Sequence, residues 1–392
     1  MLLMKNPLYN FGLGLVGALA ALSASHPVLA QSRYTAVDLG PVGQSAAANG
    51  IDQGQAVGAV YAPADASQYR ATLWPAGGAG SSTDLHPSFL DYAPLNAPGR
   101  STVTAIFVNN GVGNTEVGYG SGVPTNQRPR ALKWTGTADS AVVLQAPFDT
   151  NETGALGIGI GDGQIAGYGV TVQFVSGRGT IRRFDGPTHA LLWQPGVTMA
   201  VDLQNGAEAT VAVAAGGGEQ VGYGGKSGSG SQLSETKAML WKGSASSFVW
   251  LHPQKGFLTS QAVATDGTQE VGSGLATPLV RTDPAHSHAL LWFHTAVSVV
   301  DLHPAGFDDS YATGVSETKQ VGWGRLVSPS GVTTTHALVW SGSAGSAIDL
   351  DQFLSAGYDG AQATGIDTGG TIAGTAFMGG QRHAVRWSPA AP

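Results

Sequence analysis

The chain contains no cysteine. Disulfides, thiolate metal sites, thiol nucleophiles and a lipid on an N-terminal cysteine are all excluded, so packing and strand pairing must hold the fold. Charge is also scarce: 11% of the 392 residues are Asp, Glu, Lys or Arg, and the net charge is −7. Nucleic acid and anionic lipid both call for a basic face, so neither is an expected partner. No stretch has the period of an amphipathic helix. After residue 30 no apolar run is long enough for a membrane span. There is no G-x-S-x-G, no H-E-x-x-H and no P-loop. Gly157-Ile-Gly-Ile-Gly-Asp-Gly163 reads as a strand and its turn, because no helix follows to make it a dinucleotide fingerprint. No catalytic residue, cofactor or metal is expected.

What is present begins with a leader. Lys5 supplies a positive start, Phe11 to Leu22 an apolar run too short to span a bilayer, and Val28-Leu29-Ala30 a cleavage site. Residues 1–30 therefore read as a signal peptide, with residues 31–392 as one secreted or periplasmic domain.

The remainder repeats. Seven segments end in tryptophan, each with a basic residue four positions earlier and alanine next to it: Arg70 to Trp74, Arg130 to Trp134, His189 to Trp193, Lys237 to Trp241, His288 to Trp292, His336 to Trp340 and His383 to Trp387. Successive tryptophans lie 60, 59, 48, 51, 48 and 47 residues apart. Each unit adds a small-residue stretch such as Ser310 to Val315 and a Val-Gly-aromatic-Gly stretch such as Val321 to Gly324. An Asp-Leu stretch such as Asp301-Leu302 closes it. Short β-branched segments between Gly, Ser, Asp and Asn are strands. Four strands in about 50 residues make a propeller blade. The expected fold is all-β: a seven-bladed β-propeller with four antiparallel strands per blade, tryptophans in the core and small residues near the axis. The seventh unit lacks its last strand. Tyr34-Thr-Ala-Val-Asp-Leu-Gly40 reads as that strand, so the N-terminus should close the ring and remove two exposed edges.

Asp follows the basic residue by thirteen positions at Asp202, Asp301 and Asp349, and by fourteen at Asp84; Asp38 completes unit seven. A constant spacing means a constant hairpin, so these pairs read as cross-strand struts rather than catalytic dyads. Units two and four have Val143 and Trp250 instead; Lys237 facing Trp250 suggests a cation–π substitute. Leu-His-Pro recurs at Leu85, Leu251 and Leu302, where proline ends a strand.

Long loops gather on one face, at 170–187, 275–286 and 87–100. Binding residues concentrate on such loops. The candidate ligand residues are Arg182, Arg183, Asp185, Arg281, Asp283, His286, Asp308 and Asp309.

His-Ala-Leu-Leu-Trp, Val-Asp-Leu, Ser-x-Ala-x-Gly-Val and the segment YTAVDLGPVGQSAAANGIDQGQAVGAV at 34–60 resemble the bacterial extracellular HAF repeat over nearly the whole mature chain. The resemblance implies an exported, propeller-like protein and brings no catalytic residues. The sequence departs from it where Leu or Val replaces the family's Phe. The expected function is a monomeric, non-catalytic binding or scaffold propeller for a glycan or cell-surface component. The alternative is a hydrolase or lyase acting on an extracellular polysaccharide through Asp283, His286, Asp308 and Asp309, and a third is a purely structural envelope protein.

Overall fold

The computed structural model describes residues 34–390, apart from 78–79, 92–97, 110–112, 123–127, 149–153, 178–179, 228–232, 279 and 281–282; for 172–185 it describes backbone pairing alone. The expected leader at 1–30 lies outside the described residues. The chain forms a seven-bladed β-propeller: seven antiparallel sheets of four strands, six of them in sequence order A, B, C, D from the axis outward and the seventh with the first strand of the chain as its D. Blade 6 is typical, with strands Asp309–Ser316, Lys319–Val327, Thr333–Trp340 and Ile348–Asp349. Blades 1 to 5 occupy 46–84, 100–143, 154–202, 209–250 and 257–301. Blade 7 takes three strands from 360–389 and its outer strand from Tyr34–Asp38. Tyr34 pairs with Pro389 and Asp38 with Val385, so the two ends of the chain share one sheet.

The tryptophans explain why the blades form a ring. All seven are fully buried. Each packs on the preceding blade. Trp340 of blade 6 meets Val271, Ala289 and Leu302 of blade 5, and Trp292 of blade 5 meets Val221, Ala238 and Leu251 of blade 4. Trp74 closes the circle on Ala373, Ala384 and Leu39, the last carried by the N-terminal segment. The repeated Val, Ala and Leu are thus the three walls of one tryptophan socket. Emptying a socket by Trp→Ala would cost about 3–5 kcal/mol.

The repeated glycine after that Val has an equally local cause. Strand A carries a β-bulge in every blade, between Ala312 and Gly314 in blade 6. The bulge presses a carbonyl against strand B. A Cβ on Gly322 would lie 1.9 Å from the Tyr311 oxygen, and one on Gly58 would lie 2.0 Å from that of Ala47. Gly118, Gly167, Gly222, Gly272 and Gly374 are in the same position. The bulge in turn aims one strand A residue of each blade at the axis.

Two readings change. The blade 3 segment 170–187, expected as a loop, is a long hairpin: strands Gln164–Gly177 and Thr180–Trp193 pair through Val172 with Asp185 and Gly177 with Thr180. Its run Val170-Thr-Val-Gln-Phe-Val175 is β-branched and aromatic, and that propensity outweighs the nearby charges. Lys237 makes no cation–π contact with Trp250 among the described residues; Trp250 meets Phe248 edge-on, 5.9 Å between ring centres.

Candidate functional site

The basic–acidic pairs are struts. His189, His288, His336 and His383 each direct Nδ1 to the Oδ2 of Asp202, Asp301, Asp349 and Asp38 at 2.7–2.8 Å, and Arg70 reaches Asp84 at 3.1 Å. The second oxygen of each Asp accepts the backbone N–H two residues on, for example Gly40 at 2.9 Å and His303 at 2.9 Å. One carboxylate therefore ties strand C to D and starts the connection to the next blade.

That connection carries a Ser–His–Asp set in blade 1. His86 Nδ1 lies 2.7 Å from Ser101 Oγ, and Nε2 lies 3.2 Å from Asp91 Oδ1. Ser101 is completely buried, and its hydroxyl accepts the Ala71 N–H at 3.2 Å. Burial depresses the His86 pKa, against the pull of Asp91. The pairing recurs as His252 with Ser260 and His303 with Ser310, where Ala238 and Ala289 donate to the serines. A buried device repeated at three blade joints is structural.

The charged rim residues separate into three groups. Arg182, Arg183 and Asp185 sit on the blade 3 hairpin, where the backbone alone is described. Arg281 lies outside the described residues, and Asp283 is an exposed turn residue whose N–H donates to Val280 O. His286, Asp308 and Asp309 do come together. Asp309 is buried, binds Arg325 Nε at 2.6 Å and accepts the Ser287 N–H at 2.7 Å, with His286 Nδ1 at 3.6 Å. Asp308 accepts the Val327 N–H at 2.6 Å. Both carboxylates thus hold the entrance of blade 6 in place.

Two of the cavities lined by described residues bear on function. One, of about 440 Å³, is the axial channel, lined by three strand A residues from each of the seven blades. None of its lining residues is charged. Four of its polar side chains are committed to blade joints: Thr104 donates to Gly157 O, Thr313 to Ala363 O, Thr364 to Ala48 O, and Asn49 to Val103 O; Thr265 accepts the Gly267 N–H within its own turn. The other, of about 560 Å³, opens on blade 1 among Gln44, Tyr61, Gln68, Tyr69, Arg70 and Asp84, on the face carrying the B–C and D–A loops.

Why blade 1 is hollow can be read from its neighbours. In blades 3, 5, 6 and 7 an aromatic residue of the incoming connection, Phe148, Phe257, Phe307 or Tyr358, lies edge-on to the strut histidine. In blades 3, 5 and 6 it also covers a glycine of strand B: a Cβ on Gly324 would meet the Phe307 ring at 2.5 Å. From Leu302 to Ser310 the blade 6 connection takes eight steps. From Leu39 to Ala46, the matching position by register, blade 1 takes seven. The residue missing is the aromatic after Gly43, and Val60 stands where Gly324 does. The hollow is the unplugged socket.

Tyrosines extend from it. Tyr61 and Tyr69 rings lie 5.9 Å apart, and Arg382 stacks over Tyr61 at 5.5 Å. Burial pushes the Tyr119 phenol up to about 12, and the phenols of Tyr69, Tyr168 and Tyr61 act in the same direction. Tyr168 and Tyr223 are raised by burial too, Tyr223 with Tyr168 beside it. Tyr119, Tyr168 and Tyr223 hold the same strand B position in blades 2, 3 and 4, opposite Ala131, Ala190 and Ala238, so by register they continue the line from Tyr69 in blade 1. The hydroxyls of Tyr69, Tyr119, Tyr168 and Tyr223 have no hydrogen-bond partner among the described residues, and Gln68 Oε1 is buried without one. In the sequence these tyrosines look like strand formers. The one signal for the hollow was the missing residue between Gly43 and Gln44.

No protein-family model and no curated protein matches the chain. Among solved structures it is similar to the acylaminoacyl peptidase of Pyrococcus horikoshii, with 10% identity and a TM-score of 0.50 over 88% of this chain and 49% of that one. The chain thus spans about half the length of that peptidase. The β-propeller domain of the Trilobed protease from Pyrococcus furiosus aligns with 8% identity and a TM-score of 0.49, over 91% of this chain and 94% of that one. At such identities the likeness is one of fold.

Proposed function

We propose that this protein is an exported, non-catalytic binding propeller whose ligand is a neutral glycan, anchored in the blade 1 hollow and extending along the tyrosine row. The hollow carries the reading. It has the volume of a small-ligand site, apolar walls and a few convergent polar groups. Tyrosine suits a sugar, because its ring covers the C–H face while its hydroxyl bonds the sugar hydroxyls. The ligand is taken as neutral because, among the described residues, Arg70 in the hollow is paired with Asp84 at 3.1 Å and Arg382 beside it is stacked on Tyr61. Export follows from the leader at 1–30, and the HAF-like repeat fits an extracellular propeller. The tyrosine site replaces the charged rim of blades 5 and 6 as the anchor, since Asp308 and Asp309 are engaged within the fold.

Affinity electrophoresis through neutral polysaccharides tests it. Tyr61→Ala and Tyr69→Ala should each abolish retardation of the mature protein while leaving its melting temperature nearly unchanged. Asp283→Asn and Asp308→Asn should leave retardation intact. Retardation that survives both tyrosine changes but is lost with the aspartates would place the site on the charged rim.

A further inference from the structure

The opposite face, where the A–B and C–D turns emerge, holds a second departure from the repeat. The C–D turns of blades 1, 2, 3, 4 and 6 each place a glycine in the left-handed region: Gly77, Gly136, Gly196, Gly243 and Gly342, with φ between 75° and 82°. Blade 5 has His294 there, at φ 60°. A non-glycine residue in that conformation is strained and persists where something else holds it.

What surrounds His294 is unusual for this chain. Glu270, at the start of strand B in the same blade, has a side chain with no exposure, and Glu219, at the start of strand B in blade 4, is 6% exposed. Each carboxylate spends one oxygen. Glu270 Oε2 accepts the His294 N–H at 2.8 Å, and Glu219 Oε1 pairs with Lys242 at 2.7 Å. The other oxygens converge on the imidazole: Glu270 Oε1 lies 2.8 Å and Glu219 Oε2 3.2 Å from His294 Nδ1. Neither contact has hydrogen-bond geometry, and all three atoms are buried without a partner. At the strand B position matching Glu270, blades 4 and 6 carry neutral amides, Gln220 bonded to Gln164 and Gln320 to Gln269, both at 2.9 Å, while blade 2 carries Glu116, whose Oε2 likewise takes a turn N–H, that of Gly136. Among the described residues a second acidic–His group of three, His336 with Asp349 and Asp351, is a repeat strut, with Asp349 Oδ1 taking the Asp351 N–H and Asp351 Oδ1 that of Ala337.

We propose that Glu219, Glu270 and His294 form a binding site for one divalent transition-metal ion of the zinc class, bridging blades 4 and 5. Two carboxylate oxygens and one imidazole nitrogen are a donor set for such an ion, and all three lie within 4.8 Å of one another. Donors held at roughly 2.0–2.2 Å from a tetrahedral ion sit about 3.4 Å from each other, so contacts of 2.8 and 3.2 Å need open by only a few tenths of an ångström. The ion neutralises the two buried carboxylates, which Lys242 alone does not, and fixes the strained histidine. His294 is 39% exposed, so the ion has a route in from solvent and open positions for water. In a chain without cysteine the ion serves as a cross-link between blades.

The test uses the untagged mature protein, stripped with a chelator and titrated with zinc chloride. Wild type should take up about one equivalent and melt at a higher temperature with zinc than without, as binding to the folded state alone requires. His294→Gly restores the residue found at the other turns, so its metal-free form should melt at or above the wild-type temperature. Its zinc affinity should fall at least about 100-fold, beyond what loss of an outer-shell partner costs, and zinc should no longer shift its melting. Glu270→Gln should bind weakly in the same way. Absence of uptake by wild type at roughly 100 µM zinc, or uptake unchanged in His294→Gly, would overturn the site.

Discussion

Blades 1 and 6 share one scaffold and differ by one residue in the connection that enters them. In blade 6 the connection carries Phe307, which covers Gly324 and meets His336 edge-on at 5.8 Å. In blade 1 that residue is absent, Val60 fills part of its place, and a hollow of about 560 Å³ remains between Tyr61 and Tyr69. Both blades keep the strut, the bulge and the tryptophan socket. The repeat therefore builds the ring, and a break in the repeat makes room for chemistry. His294 in a glycine turn is a second break, and the blade assembled from both chain ends is a third.

The blade with two origins offers the largest expected effect. Deleting residues 31–40 removes the outer strand of blade 7 and takes Leu39 from beneath Trp74. Two core side chains and a whole strand pairing are lost, so the melting temperature should fall on the order of 10 °C or more in calorimetry. An unchanged melting curve would show that blade 7 does not need its borrowed strand.

Next comes the contrast between the two glycines of strand B. Gly58→Ala and Gly322→Ala face the same carbonyl contact, 2.0 and 1.9 Å, so both should cost several kcal/mol, about 3–5, in chemical denaturation. Gly324→Ala meets side chains rather than backbone, the Phe307 ring at 2.5 Å and Leu338 Cδ1 at 3.0 Å, and should cost about 1–2 kcal/mol. The matching position in blade 1 already carries Val60. Equal costs at Gly322 and Gly324 would break the distinction between the shared frame and the variable plug.

A smaller effect separates the joint of blades 6 and 7 from the rest. There Asp351, not a hydroxyl, accepts the buried Ala337 N–H at 3.0 Å. Burial, with the Asp349 charge beside it, raises its pKa from 3.8 to about 6. A raised carboxylate pKa means the folded protein binds the proton more readily than the unfolded chain. The cost of ionising it is present in full above about pH 6 and is relieved as the pH falls toward 3.8. Asp351→Asn should therefore stabilise the protein at pH 8 by on the order of 2 kcal/mol, a few degrees in melting. It should change little at pH 4, and equal shifts at both pH values would contradict the assignment.

The ring is legible in the sequence because its cause is local and repeated: a tryptophan, an alanine, a Val-Gly pair and an Asp-Leu pair each recur where the socket, the bulge and the strut need them. The closing strand is legible for the same reason, since Tyr34 to Gly40 is a strand D without the blade that should precede it. The blade 3 hairpin was not, because Arg182, Arg183 and Asp185 drew the reading toward a loop and hid the β-branched run before them. The blade 1 hollow was not, because what makes it is a residue that is missing. Nor was the Glu219–Glu270–His294 group: Trp292-Phe-His294 differs from Trp241-Lys-Gly243 by two letters, and the meaning of the second depends on a backbone angle.

Restoring the missing plug tests the central claim most directly. A phenylalanine inserted between Gly43 and Gln44, together with Val60→Gly, would give blade 1 the local sequence logic of blade 6. Binding to a panel of neutral glycans, measured beside the melting curve, should be lost while the fold stays at least as stable as wild type. A plugged protein that binds the same glycans as strongly as wild type would show that the hollow is not the site.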